Sequence, residues 1–177
     1  MTLWVWRHPR AQGAAGRCLG RTDVPVDPRR AKRLAHRIRA TARQHGLPKV
    51  VLTSPLHRSC AVGRWLRRWG WQHRVEPALA EMDFGAWDGR AWTDIAQAEV
   101  AAWCQDFLHH APGRGESLHR FFTRVQAWPT PQGDACVVGH AGWMQARRWL
   151  GTGAPWPSRA DQWPAPPTHG SLWTLPR

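Results

Sequence analysis

The sequence predicts a three-layer α/β/α sandwich built on a largely parallel central sheet, and three observations predict it. Short apolar runs (LWVW, VVL, CVV) alternate with longer segments of helical period. Each of these runs leads into a loop or a helix rather than a tight hairpin, the pattern of strand-helix units with parallel pairing. Finally, 177 residues suffice for one well-buried core and are few for two, and no repeat or linker interrupts them. A single domain over residues 1–177 is expected.

The first strand is TLWVW, and it ends in Arg7-His8. The loop RHPRAQGAAGRCLGRTDVPV follows, punctuated by glycine and without either period. Asp27 can cap a helix and Pro28 can open it; Ala31, Leu34, Ala35, Ile38 and Ala42 give it an apolar stripe, and Gly46-Leu47-Pro48 stops it. KVVLT reads as a short buried strand. Ser54-Pro55 repeats the cap-then-proline start, with Val62, Trp65, Leu66 and Trp69 as the inner face of a helix ending at Gly70. QHRVEPAL suggests a strand leading to Glu81, and EMDFGAWDGRAW a loop into helical material from about Thr93 to His110. A helix from about Leu118 to Trp128 is introduced by APGRGES, where Glu116-Ser117 can cap it. DACVVGH is a strand ending at His140, AGWMQARRWL a helix, and GSLWTL a last strand. The Pro- and Gly-rich stretch from Gly151 to Thr168 reads as a surface drape.

Composition narrows the partners. Lys and Arg number 25 against 12 Asp and Glu, a formal charge of +13 that favours anions. Much of that charge lies in DPRRAKRLAHRIRATARQHG, between the apolar positions of one helix, and this is the pattern of a solvated helix face. No recognisable nucleic-acid module accompanies it, which argues against nucleic acid as the partner. The first apolar run breaks at Arg7 and is far too short for a signal-peptide core or a membrane span, so a cytoplasmic protein off the membrane is expected. Cys18, Cys60, Cys104 and Cys136 contain no C-x-x-C pair, which suggests neither a zinc clip nor a disulfide framework. His109 and His110 are neighbours, not the one-face pair that a helical metal site needs. Fourteen tryptophans accompany no tyrosine and no asparagine, a bias scattered along the chain rather than periodic.

The chemistry concentrates at strand ends. In a parallel sheet, ligands bind beyond the carboxyl ends of the strands, where His8 and His140 both fall. Arg7 and Arg58 can offer planar, permanently charged forks to a phosphate, and a neutral histidine nitrogen can attack phosphorus near neutral pH. With Glu81 between them in the chain, these residues read as a phosphohistidine enzyme for a small phosphorylated substrate.

WRHP, GRTDVP, TSPLHRS, EMDFGAWDG, GES and VVGHAG, in this order and over nearly the whole chain, resemble the histidine phosphatase (phosphoglycerate mutase-like) superfamily. Within it the chain is most similar to the α-ribazole phosphatase branch. The resemblance implies a cofactor-independent phosphomonoesterase with no metal, acting on α-ribazole 5′-phosphate in cobalamin biosynthesis. It implies His8 as phosphoryl acceptor, Arg7, Arg58 and His140 as phosphate ligands, Glu81 as proton donor and later base, and Thr22 as a further hydroxyl on the phosphate. Asp83 and Asp88 stand close enough in sequence to compete with Glu81.

Two departures from the family pattern stand out: Pro9 follows His8 and removes a backbone donor, and the phosphate-binding Asn of many relatives is absent. Gln12, Arg21 or Thr22 could compensate. Other readings are a phosphatase of another small monoester, a mutase, a protein-phosphohistidine phosphatase, or a non-enzymatic basic module for nucleic acid or an acidic partner. The short stretch between Glu81 and His140 speaks against a mutase, since it leaves little room for the insertion that shields a mutase's phosphoenzyme.

Overall fold

In the computed structural model, which describes residues 2–176, the strand ends carrying Arg7 and Gly139 lie side by side in parallel register. These belong to β1 (Thr2–Arg7) and β4 (Ala135–Gly139). With β2 (Val50–Thr53), β3 (Gln72–Val75) and β5 (Leu172–Pro176) they make a five-stranded sheet in the order β3-β2-β4-β1-β5. Only β5 runs antiparallel, against β1. The parallel members thus present their carboxyl ends along one edge, and the site is built there.

Side chains alternate across the sheet, and each face meets its own helices. Trp6, Val51, Cys136 and Val138 pack against α1 (Pro28–His45) and α2 (His57–Arg68). Leu3, Val5, Leu52 and Val137 pack against α4 (Leu118–Ala127) and α5 (Ala141–Leu150) on the other face. This is the expected three-layer arrangement. A short α3 (Gln97–Gln105) joins a third cluster of Cys18, Trp87 and Ile95 beside the cavity.

The basic helix α1 forms as its pattern requires. Asp27 Oδ1 accepts from Arg29 N at 2.7 Å, Pro28 opens the first turn, the five apolar positions are buried, and Gly46 ends the helix at φ +65°. Its arginines and lysine lie outward, with Lys32 over Trp65 of α2 and Arg39 over Trp69. No helix among the described residues is long and apolar enough to cross a membrane.

Three expectations need correction. Ser54 does not cap α2: the helix starts at His57, and its first amide is capped from a distance by Asp23 Oδ1 at 2.6 Å, because the Ser54 hydroxyl is engaged by His140. The helix from Thr93 to His110 is only nine residues long, Gln97 to Gln105, preceded by a single 3₁₀ turn and closed where Asp106 leaves helical dihedrals. Trp65 and Trp69 are only partly buried, since they sit at the edge of the α1–α2 seam.

The tail also does more than drape. Trp156 stacks on Phe122, and Trp163 meets Phe107 and Phe122 edge-on, so the segment after α5 walls the cavity before it reaches β5. The cysteines are free: Cys18 and Cys136 are buried, and burial pushes both thiols up to about 12.

Candidate active site

His8 and His140 are the residues immediately after β1 and β4, and the parallel pairing of those strands brings their rings to 5.0 Å between centroids. The His8 amide donates to Gly139 O at 3.0 Å, extending the ladder by one bond. His8 Nδ1 donates to the Pro9 carbonyl at 2.7 Å, so the proton resides on Nδ1 and Nε2 keeps its lone pair. Pro9 therefore still contributes what its missing N–H does not, a carbonyl that sets the tautomer. Burial, then the nearby Arg58 guanidinium, holds the His8 imidazole well below its usual range, which keeps it neutral and nucleophilic at ordinary pH.

His140 is fully buried, and its Nε2 lies 2.6 Å from Ser54 Oγ at the end of β2. Ser59 Oγ in turn donates to Val138 O and accepts from Ser54 N, locking the corner. Burial first, then His8 and the arginines, holds His140 well below the normal histidine value. Its Nδ1 has no hydrogen-bond partner among the described residues, and neither does Arg7 Nε. Arg7 Nε is a buried donor without an acceptor, and His140 Nδ1 is another in the tautomer whose Nε2 accepts from Ser54 Oγ, an arrangement that an anion can complete.

Arg58 lies in the first turn of α2, 1% exposed, and is fixed by two carbonyls: Nη1 donates to Thr22 O at 2.8 Å and Nη2 to Gly20 O at 2.6 Å. Those carbonyls are held by Asp88, whose carboxylate accepts from the amides of Gly20, Arg21 and Thr22. Burial alone would raise the Asp88 pKa, but the Thr22 hydroxyl and these amides outweigh it and hold Asp88 below the usual carboxylate value. Thr22 thus serves Arg58 through its carbonyl and turns its hydroxyl to Asp88. Arg21 is drawn to the Glu81 carbonyl, Nε to O at 2.9 Å, and Gln12 is exposed and does not border the cavity.

Of the three neighbouring carboxylates only Glu81 borders the cavity. Asp88 is committed to the 20–22 loop, and Asp83 Oδ1 accepts from Gly85 N at 2.8 Å. Glu81 Oε2 accepts from Gly142 N at 3.0 Å, in the first turn of α5, and Oε1 from its neighbour Met82 N at 3.1 Å. Burial raises its pKa; the two amides and then Arg58 and Arg7 oppose the rise without cancelling it. Arg124 supports the segment from behind, donating to the carbonyls of Ala78, Ala80 and Glu81 while paired with Glu116 at 2.9 Å. Ser117 caps α4 as expected, and Glu116 turns out to be the counterion of Arg124.

The cavity encloses about 410 Å³. Arg7, His8, Arg58 and Glu81 make its polar floor; Phe84, Trp92, Trp103, Phe107, Phe121 and Trp163 make its walls. The aromatic wall was not legible from sequence, because the tryptophans that compose it come from α3, its preceding turn and the tail, at no common spacing.

A parallel sheet ending in Arg-His and Gly-His over such a cavity defines a class, and the chain belongs to the histidine phosphatase superfamily (branch 1), whose model matches residues 3–169. It is a phosphatase. The adenosylcobalamin/alpha-ribazole phosphatase of Salmonella typhimurium is 31% identical over 157 residues, covering 80% of this chain and 75% of that protein. Its Escherichia coli counterpart is 31% identical over 132 residues, covering 71% of this chain and 64% of the other. Among solved structures, a putative alpha-ribazole-5′-P phosphatase from Escherichia coli superposes with a TM-score of 0.76 at 26% identity, covering 98% of this chain and 89% of that one. The fold is shared with the alpha-ribazole phosphatase from Shigella flexneri at a TM-score of 0.74 and 24% identity, covering 100% and 95%.

Proposed function

We propose that the protein is a cofactor-independent phosphomonoesterase that passes through a phosphohistidine on His8, with α-ribazole 5′-phosphate as its substrate. The observation that carries the mechanism is the pair of buried nitrogens without partners, Arg7 Nε and His140 Nδ1, beside a histidine whose Nε2 is unprotonated.

The phosphate dianion is bound by Arg7, Arg58 and His140, whose positive charge and N–H groups neutralise its equatorial oxygens. His8 Nε2 attacks phosphorus; the P–N bond forms as the P–O bond to the alkoxide breaks. Glu81, whose pKa burial raises, gives its proton to the departing oxygen. The resulting carboxylate then takes a proton from water, the oxygen of which attacks phosphorus, and the P–N electron pair returns to His8. Inorganic phosphate leaves and both residues are restored.

The substrate assignment is supported by the names of the relatives and by the walls of the cavity. α-Ribazole is a benzimidazole riboside, and six aromatic rings around the cavity suit a flat aromatic group at the far end of a phosphate ester. The test is a panel of monoesters assayed for released phosphate: α-ribazole 5′-phosphate, a purine nucleotide, 3-phosphoglycerate and a phosphohistidine peptide. The expected result is the highest kcat/KM for α-ribazole 5′-phosphate, and loss of turnover and of acid-labile, base-stable label in His8→Ala. Preference for phosphoglycerate or the peptide would replace the substrate; label on a Ser or Cys would replace the mechanism.

A further inference from the structure

A third histidine stands at the mouth of the site. His169 comes from the tail after α5, far in sequence from the other groups, yet its ring lies 5.4 Å from that of His8 and borders the same cavity. Its Nδ1 sits 3.3 Å from the His8 carbonyl. A carbonyl can only accept, so Nδ1 carries the proton of the neutral ring, and Nε2 donates only when a bound anion brings the ring to its imidazolium form.

The segment around it is clamped onto β1. Gly170 N donates to Arg7 O at 3.0 Å, Arg7 N to Ser171 O at 3.1 Å, and Arg7 Nη1 to Pro167 O at 2.5 Å. Thr168 O accepts from both the amide and the hydroxyl of Ser171, which closes the turn that carries the imidazole. The ring is therefore positioned by the same residue, Arg7, that faces the phosphate. Charged groups acting on it are Arg7 on β1, Arg10 in the following loop and Arg30 on α1, all cationic. These cations disfavour the imidazolium in the free protein, and a phosphate, by offsetting them, is the partner that lets Nε2 take a proton and donate to it.

We propose that His169 is a substrate-binding residue, an additional ligand of the phosphoryl group at the outer rim of the site. It supplies from the tail a nitrogen that Asn, absent from this chain, cannot. The proposal rests on the phosphate site of Arg7, Arg58 and His140 described above, but not on the identity of the leaving group or on His8 as nucleophile.

The test is direct binding of inorganic phosphate by calorimetry to the full chain and to three variants, with melting temperature recorded for each. His169→Asn keeps a donor for the His8 carbonyl but has no second nitrogen at the ring's far edge. His169→Gln carries its amide nitrogen at about the reach of Nε2. The expected result is phosphate binding weakened roughly 10- to 100-fold in His169→Asn and His169→Ala, the worth of one hydrogen bond to a charged group, and largely restored in His169→Gln. The melting temperature of His169→Asn should match the parent. Parent-like phosphate binding by His169→Asn would overturn the proposal, as would equal losses in all three variants accompanied by lower melting temperatures, the sign of a purely structural turn. If the parent itself binds no phosphate, the underlying site fails along with it; if the parent binds but His8 takes no label, only the phosphohistidine reading fails.

Discussion

Glu81 is held between two opposing influences: burial favours its neutral form, and the amides of Gly142 and Met82 favour the carboxylate. A group so balanced can give a proton in one half of a reaction and take one in the next. The consequence is measurable through the leaving group. A sugar alkoxide departs poorly without a proton, whereas a nitrophenolate needs none. Glu81→Gln should slow phosphoryl transfer from alkyl phosphates about 10²- to 10⁴-fold, the usual worth of general acid catalysis, and from nitrophenyl phosphate far less. Rapid-mixing measurements of the first turnover check this, and equal losses for both esters would make Glu81 a structural residue. Arg7, His8 and His140 could be proposed from the sequence because each stands at or just after a strand end, and Arg58 and Glu81 because of the motifs around them, TSPLHRS and EMDFGAWDG. Ser54, Asp23 and His169 could not: their roles depend on partners brought together only by the fold, such as His140, 86 residues from Ser54.

At the scale of elements, the positions of strands and of the long helices were legible because their apolar periods are strong, as in α1. The α3 region was not, since α3 buries no residue fully and so carries no stripe to read. The start of α5 illustrates how an element serves the site. Gly142 donates to Glu81 Oε2, and a Cβ at this position would overlap Glu81 Oε1. Alanine is ordinarily the better helix former by up to about 1 kcal/mol, so the glycine is retained against propensity. Gly142→Ala should therefore give a protein whose melting temperature is equal or higher but whose turnover of alkyl phosphates drops at least tenfold, because the acid is pushed from its seat. Steady-state kinetics and a thermal melt on the same sample decide it. The loop of Gly20 to Thr22 is a second such case, in which one carboxylate, Asp88, gathers three amides so that two carbonyls can hold Arg58.

For the whole molecule, the histidines dominate the response to acid. His8, His140, His73 and His169 all have folded pKa values below the unfolded 6.5, chiefly through burial. A depressed group contributes stability that is present above its unfolded pKa and is lost as pH falls from there through the folded value. Glu81, raised by burial, acts in the opposite sense, contributing at low pH and losing that contribution as pH rises through its folded value. Four histidines outweigh one carboxylate. Melting temperature should therefore fall as pH is taken from about 7 to about 5, across the normal histidine range. Inorganic phosphate should lessen the fall by making the charged imidazoles of the site tolerable. A His140→Gln variant should show a shallower pH dependence, and an unchanged slope would assign the effect elsewhere.

The order of the sheet bears on how the protein comes into being. β1 lies between β4 and β5, so Leu3 finds its neighbours at Ala135 and Leu175. β1 is thus made before both of its neighbours and must wait for them before it can pair, while β2, α2 and β3 have local partners and can assemble early. Until then Leu3, Val5 and Trp6 must be kept from other chains, and the nascent protein can have no phosphatase activity. Synthesis and catalytic competence are separated in time, with the strand that leads to the proposed nucleophile made before the strands that hold it.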